Sequence, residues 1–279
     1  MADVICIQCT APECEADTVT GVLALYAANG WEEAALPTGD TRFIVHFDRI
    51  EEADALCSQL SAWAPESAIE RKVVENQDWL ASWRQFFTPV QCGRFTVLPP
   101  WRQNELPAGS LPIVIEPKCA FGTGHHETTA LCLNAISDLV DSGRLRSGMT
   151  FFDLGTGTGI LGIGCALCGL HGAGSDIDPL AVDNARENID INKVKGFDVR
   201  LGSAEAAQGE TFDFVIANIL AGPLRELAPE IKKLLKTGGL LVLSGLLTLQ
   251  AESVAEAYAW LGRPRHAVDG EWSALIFGE

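Results

Sequence analysis

The sequence predicts an α/β protein in which a mostly parallel sheet is covered on both faces by helices and preceded by a smaller α+β unit. Three observations carry this. From about residue 128 onward, segments with apolar residues at helical spacing alternate with short apolar runs of strand length. The first 74 residues follow a different order, strand-helix-strand-strand-helix-strand. The chain has 279 residues, 47% hydrophobic and 20% charged, enough for a sizeable core and more than the commonest single-domain size.

Residues 4–9 read as a strand and residues 17–28 as a helix that stops at Asn29-Gly30. Residues 31–36 and 41–47 read as strands joined by the Pro37-Thr38-Gly39-Asp40 turn, residues 50–63 as a helix, and residues 68–74 as a closing strand. That order is the split βαβ arrangement of a ferredoxin-like sandwich. Residues 75–90 place Trp79, Trp83, Phe86 and Phe87 on one face of an amphipathic helix that stops before Pro89. The expected organisation is therefore residues 1–74, a linker helix within 75–94, and a larger domain over 95–279. Residues 95–98 and 111–116 read as paired short strands. Beyond them, 128–142, 160–169, 179–192 and 220–235 read as helices. Residues 150–154, 172–176, 198–201, 212–217 and 240–247 read as strands, and 265–268 with 273–277 as a closing antiparallel hairpin.

Thirty-seven acidic residues against 20 Lys and Arg give a net charge of −17. Affinity for nucleic-acid phosphates comes mostly from Lys and Arg, so no direct nucleic-acid binding is expected. A basic protein partner suits the charge, as does a merely solvated acidic face. The acidity is uneven: residues 1–75 hold 14 Asp or Glu against 4 Lys or Arg. Residues 240–249, the longest apolar run, are interrupted by Ser244, Gly245 and Thr248, so no membrane span is expected. The opening Met1-Ala2-Asp3-Val4 lacks the basic and apolar regions of a secretory signal, and a cytoplasmic location is expected. Nine cysteines, an odd number, disfavour a disulfide framework. The pairs Cys6/Cys9 and Cys165/Cys168 have zinc-like spacing, but they fall in a strand and in an apolar helix, where they read as core filler; no metal is expected.

The chemistry concentrates at three strand ends. Asp153-Leu154-Gly155-Thr156-Gly157-Thr158-Gly159 follows one predicted strand and opens a helix, so its backbone N–H groups, with Gly155 and Gly157 leaving room, can approach a nucleotide-like cofactor. The next strand ends in Asp176, whose carboxylate can accept both hydroxyls of a ribose. A third delivers Asn218 to the same edge. Residues 157–162 also satisfy the dinucleotide expression G-x-G-x-x-G, so NAD chemistry stays open on the glycines alone, and so does a non-catalytic binding protein. Asp153 favours S-adenosylmethionine: an acid beside the glycines repels a pyrophosphate and attracts a sulfonium.

The chain resembles the ribosomal protein L-eleven methyltransferase family (PrmA), a class I S-adenosylmethionine-dependent group, over nearly its whole length. The resemblance rests on Ala120-Phe121-Gly122-Thr123-Gly124-His125-His126-Glu127-Thr128-Thr129, Asp176-Ile177-Asp178-Pro179 and Ala217-Asn218-Ile219-Leu220-Ala221-Gly222-Pro223-Leu224. Trp83 with Phe86, and Pro99-Pro100-Trp101-Arg102, add to it. Thr156 stands where the family often has cysteine. The resemblance implies a Rossmann-like class I methyltransferase sheet behind a substrate-recognition domain. It also implies transfer of methyl groups to lysine side chains and the amino terminus of one basic ribosomal protein, by an enzyme expected to be a monomer. Thr129, Gly155, Asp176 and Asn218 would contact the cofactor, with Gly157 in the same loop, and Phe121, Gly122 and Thr123 would belong to a lid closing over it. Asn218 would be the catalytic residue, orienting the amine. His125 and His126 match no zinc motif and are expected to hold the lid or the cofactor. Ile219-Leu220-Ala221 offers no aromatic ring for stacking a planar substrate, which points to an aliphatic amine.

Overall fold

The computed structural model describes residues 4–27, 30–36, 38–47, 49–74, 87–116 and 126–278. They belong to two compact units, Met1–Phe86 and Phe87–Glu279.

In the first unit the order is β1 (Val4–Ala11), α1 (Ala16–Tyr26), β2 (Glu32–Ala35), β3 (Thr41–Phe47), α2 (Ile50–Trp63) and β4 (Ala68–Val74). The four strands form an antiparallel sheet in the order β2-β3-β1-β4, the split βαβ arrangement read from the sequence. Alternation with period two sends Ile5, Ile7, Cys9 and Ala11 of β1, with Phe43, Val45 and Phe47 of β3, to one face. There they meet Val19, Val22 and Leu23 of α1 and Ala53, Leu56 and Leu60 of α2.

The second unit begins with β5 (Val90–Cys92), β6 (Phe95–Leu98) and β7 (Leu111–Val114), a three-stranded sheet of its own. This corrects one expectation and bears out the pairing of residues 95–98 with the strand that starts at Leu111. Residues 87–94 are not helical: Pro89 blocks a helix, and Gly93, at φ +55°, turns β5 back onto β6 as an antiparallel pair. The strands β6 and β7 pair in parallel, because the chain between them crosses back through a 3-10 turn at Pro100–Glu105. Trp79, Trp83 and Phe86 lie outside the described residues, as does the rest of 75–86.

There follow α3 (Glu127–Asp141), β8 (Thr150–Leu154), α4 (Ile160–Leu167), β9 (His171–Asp176), α5 (Pro179–Asn192), β10 (Phe197–Leu201) and β11 (Phe212–Asn218). The unit closes with α6 (Ala221–Glu226), α7 (Ala228–Leu234), β12 (Leu235–Leu247), α8 (Ala251–Ala257), β13 (Arg265–Asp269) and β14 (Trp272–Phe277). The large sheet runs β10-β9-β8-β11-β12-β14-β13 and is parallel from β10 to β12, with β14 antiparallel to both β12 and β13. Its order reverses between β8 and β11, the switch point at which open α/β sheets form a crevice. One face packs on α3, α4 and α5, the other on α6, α7 and α8. The single helix expected over 220–235 is broken at Leu227, since Pro229 supplies no N–H to continue it. Among the described residues, no helix is long and apolar enough to cross a membrane.

Candidate functional site

At the switch point a cavity of about 470 Å³ opens at the carboxyl edge of the sheet. The glycine loop after β8, the end of β9 and the end of β11 all reach it, as does the first turn of α3. It gathers Thr129, Gly155, Gly157, Asp176 and Asn218, five residues singled out from the sequence. Phe121, Gly122, Thr123 and His125 lie outside the described residues.

The glycine loop is shaped by close approach. Gly155 has φ +74°, and a Cβ there would come within 2.3 Å of the Ile219 side chain. Ile219 is in turn placed by β12, whose Gly245 has φ +84° and would drive a Cβ to 2.4 Å from the Ile219 carbonyl oxygen. Two glycines, one in the turn after β8 and one in β12, thus allow the loop after β8 and the loop after β11 to meet.

Asp176 closes the loop from the other side. Its Oδ2 accepts the Gly157 N–H at 2.9 Å and its Oδ1 the Asp178 N–H at 3.0 Å. Asp178 then accepts the Leu180 N–H at 2.9 Å as N-cap of α5, with Pro179 in the first helical position, so the Asp176-Ile177-Asp178-Pro179 motif is a strand end, a cap and a helix start in four residues. A carboxylate has about four acceptor sites, so Asp176 can still receive a vicinal diol.

Asn218, the last residue of β11, points its Nδ2 at the hydroxyl of Thr129 at 3.5 Å. Its Oδ1 is buried and has no hydrogen-bond partner among the described residues. A buried amide oxygen left so is costly unless a ligand donor fills it. His126 caps α3, its Nδ1 receiving the Thr128 N–H at 3.3 Å, and its ring meets Trp272 edge-on at 4.7 Å between centroids. Trp272, which the sequence reading passed over, lines the cavity, as do the apolar Leu220, Pro223 and Leu227. Its one sequence signal was its place at the turn of the closing hairpin.

Asp153 needs a correction. It does not face the cavity but is completely buried beneath the loop, where its Oδ2 accepts the Thr156 hydroxyl at 2.6 Å and the Gly162 N–H at 3.0 Å. Burial pushes its carboxyl up to about 6, against the lowering effect of these two bonds, and the nearby Asp176 charge adds to the rise. Asp153 is therefore not itself a ligand in the cavity. Gly162 lies in the first turn of α4, where an N–H would ordinarily hold a phosphate, and that donor is already occupied. Among the described residues that line the cavity there is no Lys or Arg. This lining favours a cationic, phosphate-free cofactor over a pyrophosphate. Among the described residues, no group of His, Cys, Asp and Glu could hold a metal ion.

Residues 13–279 match the family described as "Ribosomal protein L11 methyltransferase (PrmA)". The chain is 39% identical over 238 residues to the ribosomal protein L11 methyltransferase of Myxococcus xanthus (strain DK1622), covering 84% of this chain and 80% of that one. It is 41% identical over 237 residues to that of Edwardsiella ictaluri (strain 93-146), covering 83% and 77%. A crystal structure of the ribosomal protein L11 methylase from Lactobacillus delbrueckii subsp. bulgaricus superimposes with a TM-score of 0.61 at 26% identity, over 68% of this chain and 97% of that one. The comparisons thus make the chain a methyltransferase whose cofactor is S-adenosylmethionine. On the match over residues 13–279, the chain belongs to the ribosomal protein L11 methyltransferase family.

Proposed function

We propose that the chain methylates ribosomal protein L11 at lysine side chains and at the amino terminus, with Asn218 as the residue that holds the reacting amine. The substrate is supported by the names that the relatives carry. An amine is supported by the Oδ1 of Asn218, an acceptor with no donor among the described residues, in a cavity lined in part by apolar side chains. A substrate of this kind would be met in the cytoplasm, without direct binding of nucleic acid or membrane by the enzyme, which we take to act as a monomer.

S-adenosylmethionine, when bound, supplies an electrophilic methyl group on a sulfonium. Gly155 and Gly157, with no side chains, would leave room for its methionine end, Asp176 would accept its ribose hydroxyls, and Thr129 would fix the Asn218 amide so that Oδ1 faces the substrate. The difficulty lies with the nucleophile, because a protonated amine has no lone pair. Neutralising a lysine at pH 7 costs about 4.6 kcal/mol, and an α-amino group about 1 kcal/mol. The apolar wall of Leu220, Pro223, Leu227 and Trp272 favours the neutral form by desolvation. Asn218 Oδ1 then accepts one N–H of the neutral amine and aims its lone pair, so that alignment supplies much of the acceleration. Nothing at Ile219-Leu220-Ala221 offers a ring for a planar amide or base, in keeping with an aliphatic amine.

The acidic first unit is the part we assign to capture of the basic substrate, and residues 121–124 the part we assign to covering the cofactor. The reading is tested by calorimetric titration with S-adenosylhomocysteine and with NAD. Binding of the first and not the second is expected; the reverse would return the glycine loop to dinucleotide chemistry.

A further inference from the structure

Three features of Asp153 are left over once the cofactor contacts are assigned. It is fully buried yet lies one side chain below the cavity floor, bonded to Thr156, which lines the cavity, and to Gly162. One of its two oxygens, Oδ1, has no hydrogen-bond partner among the described residues. Among the described residues no cation balances it: the charged and titratable groups that act on it are Asp176 of β9, which repels it, and the thiols of Cys132 on α3 and Cys165 on α4. Burial pushes both thiols up, so they stay neutral and offer it no counter-charge.

We propose that Asp153 is a positioning residue and a fixed counter-charge for the sulfonium, acting through the glycine loop rather than as a ligand in the cavity, and that it loses a proton to solvent when the cationic cofactor binds. This rests on the reading of the cavity as an S-adenosylmethionine site. In the empty protein the carboxyl titrates near 6, because an ion in that place is poorly solvated and sits near another carboxylate. A positive charge above the loop stabilises the ionised form, the O–H bond breaks, and the proton passes to buffer. S-adenosylhomocysteine carries the same amino acid, ribose and base but a neutral thioether, so it leaves the proton where it is. The enzyme thereby favours donor over spent product above the titration and loses that preference below it.

The test is calorimetry at pH 6.0 in two buffers of different ionisation enthalpy, which counts protons directly, followed by affinities at pH 7.5 and 5.0. We expect about half a proton released with S-adenosylmethionine and almost none with S-adenosylhomocysteine. Acidification should weaken the first ligand by about fivefold or more and the second by less than about twofold. Asp153→Asn keeps an acceptor for Thr156 and Gly162 and should abolish the difference. Thr156→Val removes a bond that lowers the carboxyl and should move the midpoint upward, a check that stands if Asp153→Asn does not fold. Equal proton release with both ligands, or release that persists in Asp153→Asn, overturns the proposal while leaving the cofactor reading intact. Failure of either ligand to bind overturns both.

Discussion

The side-chain amide of Asn218, at the end of β11, donates to the Thr129 hydroxyl in the first turn of α3, and its oxygen is left buried without a hydrogen-bond partner among the described residues. The pair joins residues 89 apart in the chain. If the oxygen orients the amine, Asn218→Ala at saturating cofactor should lower kcat about a hundredfold. Affinity for S-adenosylhomocysteine should change much less. Thr129→Val, which frees the amide to rotate, should give a smaller loss of the same kind. Single-turnover methylation checks both, and an unchanged rate for Asn218→Ala would remove it from the reaction.

Gly155 tests the shape of the loop. An alanine there faces both a left-handed backbone and the Ile219 side chain at 2.3 Å. Gly155→Ala should cost about 1 kcal/mol or more in stability and at least about tenfold in cofactor affinity. Ile219→Ala in the same chain removes the collision but not the backbone strain, so it should recover part of the loss. Thermal melts with and without S-adenosylhomocysteine distinguish the two contributions.

Asp153 also predicts how stability depends on pH. Its carboxyl is raised from the ordinary 3.8 to about 6 in the folded chain, so the folded state binds this proton more tightly than the unfolded state does. The resulting stability is complete below the unfolded value and is lost as pH rises through about 6. Asp153→Asn, which has no proton to lose, should therefore gain on the wild type between pH 4 and pH 7, by roughly 3 kcal/mol at most. Denaturant unfolding of both proteins across that range measures it. A gap that is constant with pH would mean that the carboxyl is not perturbed.

The acidic first unit predicts a salt effect confined to the protein substrate. Raising ionic strength from about 0.05 M to about 0.5 M should lower kcat/KM for ribosomal protein L11 by about fivefold or more. Affinity for S-adenosylhomocysteine, with its net charge near zero, should move less than about twofold. Equal effects on both would place the salt dependence in the cavity rather than in capture.

Much of this was legible in the sequence because the informative residues sit where regular elements end. Asn218 closes a strand with a strong apolar pattern, Asp176 closes the strand that alternates with the helices on either side, and Asp178-Pro179 carries the chemistry of a cap, so their places follow from strand and helix rules alone. The side of the sheet end to which Asp153 points was not legible. Its neighbours Phe151, Phe152 and Leu154 are also buried, and a strand covered on both faces shows no alternation. The break at Leu227 could have been read from Pro229. The helix Ala251–Ala257 was missed although Ala251, Val254, Ala255 and Tyr258 repeat at helical spacing, because few of its residues are strongly apolar. Trp272 escaped notice because only the return of β14 beside β12, by long-range pairing, brings it to His126.

The central claim is that this cavity delivers a methyl group to an uncharged amine of ribosomal protein L11. Mass spectrometry of the purified substrate, after incubation with enzyme and S-adenosylmethionine, tests it most directly. The account predicts mass gains of whole methyl groups on lysine residues and the amino terminus, strongly reduced with Asn218→Ala. A substrate of unchanged mass, in the presence of enzyme shown to bind the cofactor, would contradict it.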